Sequence, residues 1–168
     1  MGCAVVIAAV RTPRGPLECS IRRWAAVLFV VFASVASAEP ASRWATLEAI
    51  HSLENPRNLS RPGPHGELGA YQFRITTWKM HTSLPFSQAL DRRFSDLVAV
   101  EHYEYLRRGL EAARVPATPY NIALAWNGGL TGAVNGTAPR AARNYAERAS
   151  NLASALDVPS PQLVASVR

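Results

Sequence analysis

Apolar residues recur at intervals of three or four over most of the chain after residue 38, a pattern that predicts amphipathic helices. In the first of these helices, Trp44, Leu47 and Ile50 stand three residues apart. Ser42 precedes the stretch and is expected to cap the helix, because its hydroxyl can accept from a free backbone N–H of the first turn. Residues 55–66 include three prolines and two glycines, so we expect a loop there.

The same pattern predicts four more helices and no strand of convincing length. A short helix is expected near Ile75–Met80 and a long one from about Ser95 to Ala113. Thr118-Pro119 is typical of an N-cap and first helical residue, and Gly128-Gly129 of a helix end. Pro139 opens the last helix. The positions expected to share a face are Ala99, Tyr103, Leu106 and Leu110 in the long helix, and Tyr145, Ala149, Leu152 and Leu156 in the last. The predicted fold class is all-α.

The first 38 residues have the pattern of an export signal. Arg22-Arg23 precede an uncharged stretch from Trp24 to Ala38, which ends in Ala36-Ser37-Ala38, the small-x-small pattern that signal peptidase accepts. The stretch is shorter than the roughly 20 apolar residues of a spanning helix. We therefore predict a signal peptide that is removed, the alternative being an uncleaved anchor that would hold the protein at a membrane.

Three segments are expected along the chain: a signal peptide over 1–38, one folded domain over 39–157 and a flexible tail over 158–168. The predicted location is the periplasm or the exterior of the cell. The folded domain is expected to be a monomer.

Much of the positive charge and both cysteines lie in the first 38 residues, so neither indicates a function of the folded domain. The net charge is +6, yet four of the 18 basic residues and only one of the 12 acidic residues lie in the first 38 positions. A nucleic-acid partner is therefore not expected. Cys3 and Cys19 lie there too, which leaves the folded domain without a thiol. The four histidines lack metal-ligand spacing and there is a single lysine, so we expect neither a metal nor a cofactor.

Glu54 is the candidate for acid catalysis. It lies four residues after Ile50 and seven after Leu47, so it continues the apolar stripe of the first helix. It also ends that helix, where the macrodipole is negative. Burial and a negative dipole end both disfavour the ionised form and raise the pKa of a carboxyl group, as a general acid requires. The alternative is an ordinary solvated glutamate that closes a helix.

A turn motif follows Glu54 at a fixed distance. Gly66, Gly69 and Gln72 stand 12, 15 and 18 residues after it. Glycines three apart allow a close approach of the backbone, and a glutamine can offer a donor and an acceptor to a sugar. This arrangement resembles the lytic transglycosylase and goose-type lysozyme superfamily, in which a helix-ending glutamate precedes a Gly-x-x-Gly-x-x-Gln turn. The resemblance implies a lysozyme-like helical domain with an active-site cleft.

The resemblance extends to two further motifs and covers about residues 45–152. Residues 123–129 (Ala-Leu-Ala-Trp-Asn-Gly-Gly) are similar to the family's Ala-x-x-aromatic-Asn-x-Gly signature, and residues 143–146 (Arg-Asn-Tyr-Ala) to its late tyrosine motif. The chain departs from the family pattern at three places: Asn55 and Gly63 stand where serines are usual, and Ala70-Tyr71 replaces an apolar Leu-Met pair.

The resemblance implies an activity on peptidoglycan without a cofactor. Glu54 would protonate the glycosidic oxygen between N-acetylmuramic acid and N-acetylglucosamine. The muramic acid 6-hydroxyl would then close a 1,6-anhydro ring. Gln72 and Asn127 would bind the sugar or hold the loop of the glutamate, and the Tyr145 hydroxyl would point toward Glu54. Tyr71 and Trp126 are candidates for stacking on sugar faces.

Several alternatives stay open at this point. A hydrolytic lysozyme would need a second carboxylate to position water, for which Glu67 and Asp91 are candidates, although a loop glutamate between glycines is more often solvated. A glycan-binding module without activity, or an exported scaffold of the same shape, would retain the fold without turnover. Phe73 and Trp78 are aromatic as well, but core packing is the favoured interpretation for both.

Overall fold

The computed structural model describes residues 42–157, and 66% of these are helical. Six α-helices and one 3₁₀ helix follow one another, and the described residues contain no strand, only an isolated antiparallel bridge between Leu68 and Phe73. The elements are α1 (Arg43–Glu54), α2 (Ile75–His81), the 3₁₀ helix (Phe86–Leu90), α3 (Arg92–Ala112), α4 (Pro119–Gly128), α5 (Leu130–Val134) and α6 (Arg140–Leu156). The predicted all-α class is confirmed.

The expected signal peptide and C-terminal tail lie outside the described residues. Between residues 42 and 157, no helix combines the length and the apolar character needed to cross a bilayer.

Local capping explains where the main helices begin. The Ser42 hydroxyl accepts from the Ala45 N–H at 3.2 Å, and the Thr118 hydroxyl accepts from the Asn121 N–H at 3.2 Å. Both predicted N-caps are therefore confirmed. Helix α3 begins three residues earlier than expected, because the Asp91 carboxylate accepts from the Arg93 N–H at 2.9 Å and supplies a cap there.

The main core lies where α1, α2, α3 and α4 meet. All four positions predicted on the face of α3 are buried. The largest fully buried side chains include Trp78, Ile50, Leu106, Leu110 and Ile122. Trp78 also donates its indole N–H to the Leu84 carbonyl at 2.9 Å. Trp78 is therefore a core residue, which is the interpretation that the sequence favours.

Of the four positions predicted on the buried face of α6, Ala149 is buried and Tyr145 is partly buried, but the face as a whole is a different one. Alanines 142, 146, 149 and 153 form it, whereas Leu152 and Leu156 are 38% and 40% exposed. Helix α6 packs against α1 and α4, and small side chains allow the three helices to approach closely. Ala153, for example, packs in one cluster with Ala45 and Ala49 of α1. Trp44, expected on the apolar stripe of α1, is 63% exposed.

Two short helices were not predicted. The 3₁₀ helix is one of them, and α5 follows α4 after a single residue, Gly129, with φ of 80°. Leu130 of α5 packs so closely on α3 that a Cβ atom at Gly109 would overlap its side chain. Elements of five residues carry too little periodicity to be found in a sequence.

Gly69 lies in the turn before Gln72 and packs directly against the 3₁₀ helix. Its φ is 80°, and a Cβ atom there would overlap the Ala89 carbonyl oxygen. Gly66 has the same φ, but a Cβ atom there would meet nothing within 4 Å. A side chain at Gly66 would therefore meet backbone strain alone, whereas a side chain at Gly69 would meet both strain and steric overlap.

We expect Gly69→Ala to lower the free energy of unfolding by more than about 2 kcal/mol, since strain and overlap act together. Gly66→Ala, which carries the strain alone, should cost about 1 kcal/mol. Urea denaturation of both variants measures the difference. Equal losses would contradict the packing described for Gly69.

Candidate active site

Glu54 lies at the junction of two adjoining pockets. The first, here called the aromatic pocket, has a volume of about 410 Å³ and includes Tyr71, Trp126 and Asn127 in its walls. The second, here called the loop pocket, has a volume of about 540 Å³ and is lined by the loop from Asn55 to Pro64. Glu54 and Gln72 line both pockets. The structure therefore brings the candidate acid and the motif glutamine together.

The environment of Glu54 favours its protonated form. Burial, the largest effect, raises the pKa of this carboxyl above its ordinary value, and the negative charge of Glu67 raises it further. The Tyr145 hydroxyl acts in the opposite direction. The net direction is the one expected for a group that must carry a proton at neutral pH.

Tyr145 approaches Glu54 from α6. Its hydroxyl is buried and, among the described residues, forms no hydrogen bond of standard geometry. It is nevertheless close enough to Glu54 for each group to perturb the pKa of the other; burial and then the Glu54 charge raise the pKa of Tyr145. The late tyrosine motif is thus placed next to the candidate acid.

The Gly69 carbonyl oxygen ties the motif turn to the end of α1. It accepts from the side-chain amide of Asn55 at 3.1 Å, from that of Gln72 at 3.0 Å and from the Gln72 backbone N–H at 3.2 Å. Asn55 is buried, and it also pairs with Leu59 through one donated and one accepted bond of 2.9 Å. Asn55 therefore connects the loop to the turn.

Gln72 is held in a strained conformation by these contacts. Its φ is 46°, in the left-handed region that non-glycine residues seldom adopt. Such strain costs about 1–3 kcal/mol and is concentrated at functional sites. One amide N–H is used by Gly69, which leaves the second N–H and the carbonyl oxygen to serve a ligand.

Glu67 is not the solvated loop residue that its position suggests. Its side chain is 13% exposed, accepts from the His65 N–H at 2.8 Å and contacts the Arg74 guanidinium at 3.4 Å. Burial opposes ionisation, but backbone N–H groups and the charges of His65 and Arg74 outweigh it and lower the pKa of Glu67. The aromatic pocket therefore holds two carboxyl groups whose pKa values are shifted in opposite directions.

Gly63 makes room for this second carboxylate. A Cβ atom at Gly63 would lie 2.6 Å from Glu67 Oε2 and 2.7 Å from Gln72 Oε1. A larger residue at this position would displace both side chains. The absence of a side chain at Gly63 is therefore coupled to the position of Glu67.

The predicted stacking residues occupy different places. Trp126 is partly buried at the end of α4, and Asn127 beside it is exposed to the pocket. Tyr71, in contrast, is only 3% exposed, and its hydroxyl donates to Asp96 at 2.8 Å. Tyr71 therefore forms a wall of the pocket and leaves little ring face for a sugar. Phe73 is buried against Trp126 with 5.7 Å between ring centroids.

One pocket residue, His102, was not selected from the sequence. It lies on α3, lines the aromatic pocket and has its ring 4.7 Å from that of Trp126 between centroids. Its position three residues after Ala99 and four before Leu106 places a polar residue on the buried stripe of α3. That interruption of the stripe is the signal by which it can be found.

Asp91, the other candidate for a second carboxylate, caps α3 and lines neither pocket. Within residues 42–157, no group of three or more histidine, cysteine, aspartate or glutamate side chains is arranged to hold a metal ion.

Comparison with known proteins found no match to this chain among protein-family models, curated proteins or solved structures.

The opposite pKa shifts predict opposite effects of two matched substitutions on stability. Glu54 has a higher pKa when folded, so its contribution is favourable below pH about 4.5 and is lost as the pH rises. Glu67 has a lower pKa when folded, so its contribution is favourable above that pH and is lost as the pH falls. At pH 7, Glu54→Gln should raise Tm and Glu67→Gln should lower it.

Thermal unfolding of both variants and the parent between pH 3 and pH 7 measures these shifts. Both differences should shrink toward the acid end, where the carboxyl groups are protonated in the folded and unfolded states. Shifts of the same sign at pH 7 would contradict the described environments.

Proposed function

We propose that the protein is an exported lytic transglycosylase of peptidoglycan, with a lysozyme-like domain whose active-site cleft is formed by the aromatic and loop pockets. The observation that carries the proposal is the half-buried Glu54, with its raised pKa, at the junction of the two pockets. A glycan strand places sugars on both sides of the bond to be cut. An acid that serves this bond must therefore lie between two sugar sites.

Glu54 acts twice in the proposed reaction. It first donates its proton to the oxygen that links muramic acid C1 to N-acetylglucosamine, so that the bond breaks through an oxocarbenium-like state. The N-acetyl group of muramic acid stabilises the positive charge. The Glu54 carboxylate then takes the proton of the muramic acid 6-hydroxyl, whose oxygen bonds to C1. No water is consumed, and the acid is restored.

The neighbouring side chains have supporting roles. Gln72, with a free N–H and a free carbonyl oxygen, hydrogen-bonds the sugar at the junction, while Asn127 does so at the edge of the aromatic pocket. The half-buried Trp126 ring packs against a sugar face. Tyr145 orients the Glu54 carboxyl and stabilises its ionised form between the two proton transfers.

Peptidoglycan strands are the proposed partner and the cell envelope is the proposed location. The sequence motifs and the predicted signal peptide support both. We propose that the protein works as a monomer.

Hydrolysis is the second candidate, and Glu67 is the observation that favours it. An ionised carboxylate in the same pocket as a protonated one is the pair that hydrolytic glycosidases use when water is the nucleophile. In that reaction Glu67 would orient or deprotonate the water, and the product would carry a reducing end. The third candidate is a glycan-binding module without turnover, which would not need a buried acid.

Digestion of purified peptidoglycan, with mass spectrometry of the products, tests the proposal. The full-length chain should release 1,6-anhydro-muropeptides, and Glu54→Gln should reduce their rate of release by at least about 100-fold, because a positioned acid contributes about 10²–10⁴. The rate should fall as the pH rises through the pKa of Glu54. Binding to peptidoglycan without release by the parent would favour the binding module.

Glu67→Gln separates the lytic route from the hydrolytic one. Under the lytic proposal, the variant still forms anhydro products, and the alkaline limb of its pH–rate profile moves to lower pH because the Glu67 charge no longer raises the pKa of Glu54. Under hydrolysis, the parent forms products heavier by one water, and Glu67→Gln abolishes them. Reducing-end products from the parent would overturn the lytic assignment.

A further inference from the structure

A pair of histidines lies at the aromatic pocket, and one of the two, His102, lines it. His81, at the end of α2, and His102, on α3, approach to 2.9 Å between His81 Nε2 and His102 Nδ1. One of these nitrogens must donate and the other accept, so at least one ring in the pair is neutral at the shared contact. Burial lowers the pKa of His102 to about 4, with His81 adding to the effect, and burial also lowers the pKa of His81. Both rings are therefore neutral near pH 7.

The second nitrogen of His102 is not sealed from solvent. The residue is 8% exposed, and among the described residues its Nε2 has no partner. Within residues 42–157, two buried side-chain polar atoms lack a hydrogen bond, Ser95 Oγ and the Tyr145 hydroxyl. His102 Nε2 is not one of them, so this unpaired nitrogen keeps some access to solvent. We infer that this exposure is directed into the aromatic pocket, which His102 lines.

The surroundings of the pair hold the His102 ring in place. Trp126 meets it edge to face at 4.7 Å, and Tyr105 stacks on it with an interplanar angle of 14°. Phe73 lies edge-on to it at 6.5 Å between centroids. The charged groups that act on the pair are Glu101 and Arg108, both through His81. A ring held on three sides by aromatic neighbours presents one fixed nitrogen to the pocket.

The pair can match either kind of polar group. When His81 donates, His102 carries its proton on Nε2 and offers a donor to the pocket. When His102 donates to His81, its Nε2 becomes an acceptor. N-acetyl amides and hydroxyls of a glycan supply both kinds of partner.

We propose that His102 is a further substrate-binding residue, whose Nε2 hydrogen-bonds a hydroxyl or N-acetyl group of the sugar packed on Trp126, while His81 orients its ring. This assignment rests on the proposed function. It adds a polar contact beside the aromatic face of Trp126.

Two isosteric variants separate the two nitrogens of His102. An asparagine amide reaches the position of Nδ1, so His102→Asn keeps the contact with His81 and loses the one in the pocket. A glutamine amide reaches the position of Nε2, so His102→Gln keeps the pocket contact. We expect His102→Asn to weaken binding about three- to tenfold, the value of one neutral hydrogen bond. His102→Gln should recover most of that loss.

The probe is a tetrasaccharide of alternating N-acetylglucosamine and N-acetylmuramic acid. Calorimetry in a Glu54→Gln background measures its affinity without turnover. In the active protein, KM should rise by the same factor for His102→Asn, with kcat changed less than twofold. The probe should also shift the ¹⁵N resonance of His102 Nε2 in the Glu54→Gln protein. This measurement needs no substitution at His102 and so does not depend on the folding of its variants.

The outcomes distinguish the two proposals. If the parent releases anhydro products but His102→Asn binds the probe as tightly as the parent, or the ¹⁵N resonance does not move, the His102 assignment is wrong and the proposed function stands. If the parent neither cleaves peptidoglycan nor binds the probe, the proposed function fails and the His102 assignment fails with it.

Discussion

The site depends on one carbonyl oxygen, that of Gly69. Three donors converge on it, from the side chains of Asn55 and Gln72 and from the Gln72 backbone. Asn55 directly follows Glu54, so these bonds connect the end of α1 to the motif turn. The carbonyl can take this position because Gly69 has a φ of 80° and lacks a Cβ atom, which allows it to lie against the 3₁₀ helix. Glu54 and Gln72, on the two sides of this junction, line both pockets.

The same junction produces the separation of charge in the site. The loop that Asn55 holds passes close over Glu67 at Gly63, and the backbone N–H groups of His65 and of Glu67 itself stabilise the Glu67 carboxylate. Glu54 lines the same pocket, and its burial and the negative charge of Glu67 both raise its pKa. Two carboxyl groups in one pocket thus acquire opposite preferences for the proton, which is the arrangement that acid–base chemistry requires.

Motifs in this chain indicate the site residues better than they indicate their roles. Gln72 and Trp126 were selected from the sequence and line the aromatic pocket, whereas Tyr71 was selected as a stacking residue and forms its buried wall. Glu67 and His102 carry more of the electrostatics than their local sequence suggests. For His102 the reason is that its partner comes from another segment, since His81 is 21 residues away. For Glu67 the partners His65 and Arg74 are near in sequence, but only the folded turn brings their N–H and guanidinium groups to its carboxylate.

The sequence by itself determined five of the seven described helices and the position of Glu54 at the end of α1, because caps, prolines and apolar periodicity act within a few residues. Only the tertiary structure decided which face of α6 is buried. Leucines at helical spacing predicted one face, but close contact among three helices selected the alanines of another. It likewise decided that Glu67 is ionised within the pocket and that His102 is neutral, since a pKa depends on the dielectric and charges that the folded chain assembles around the group.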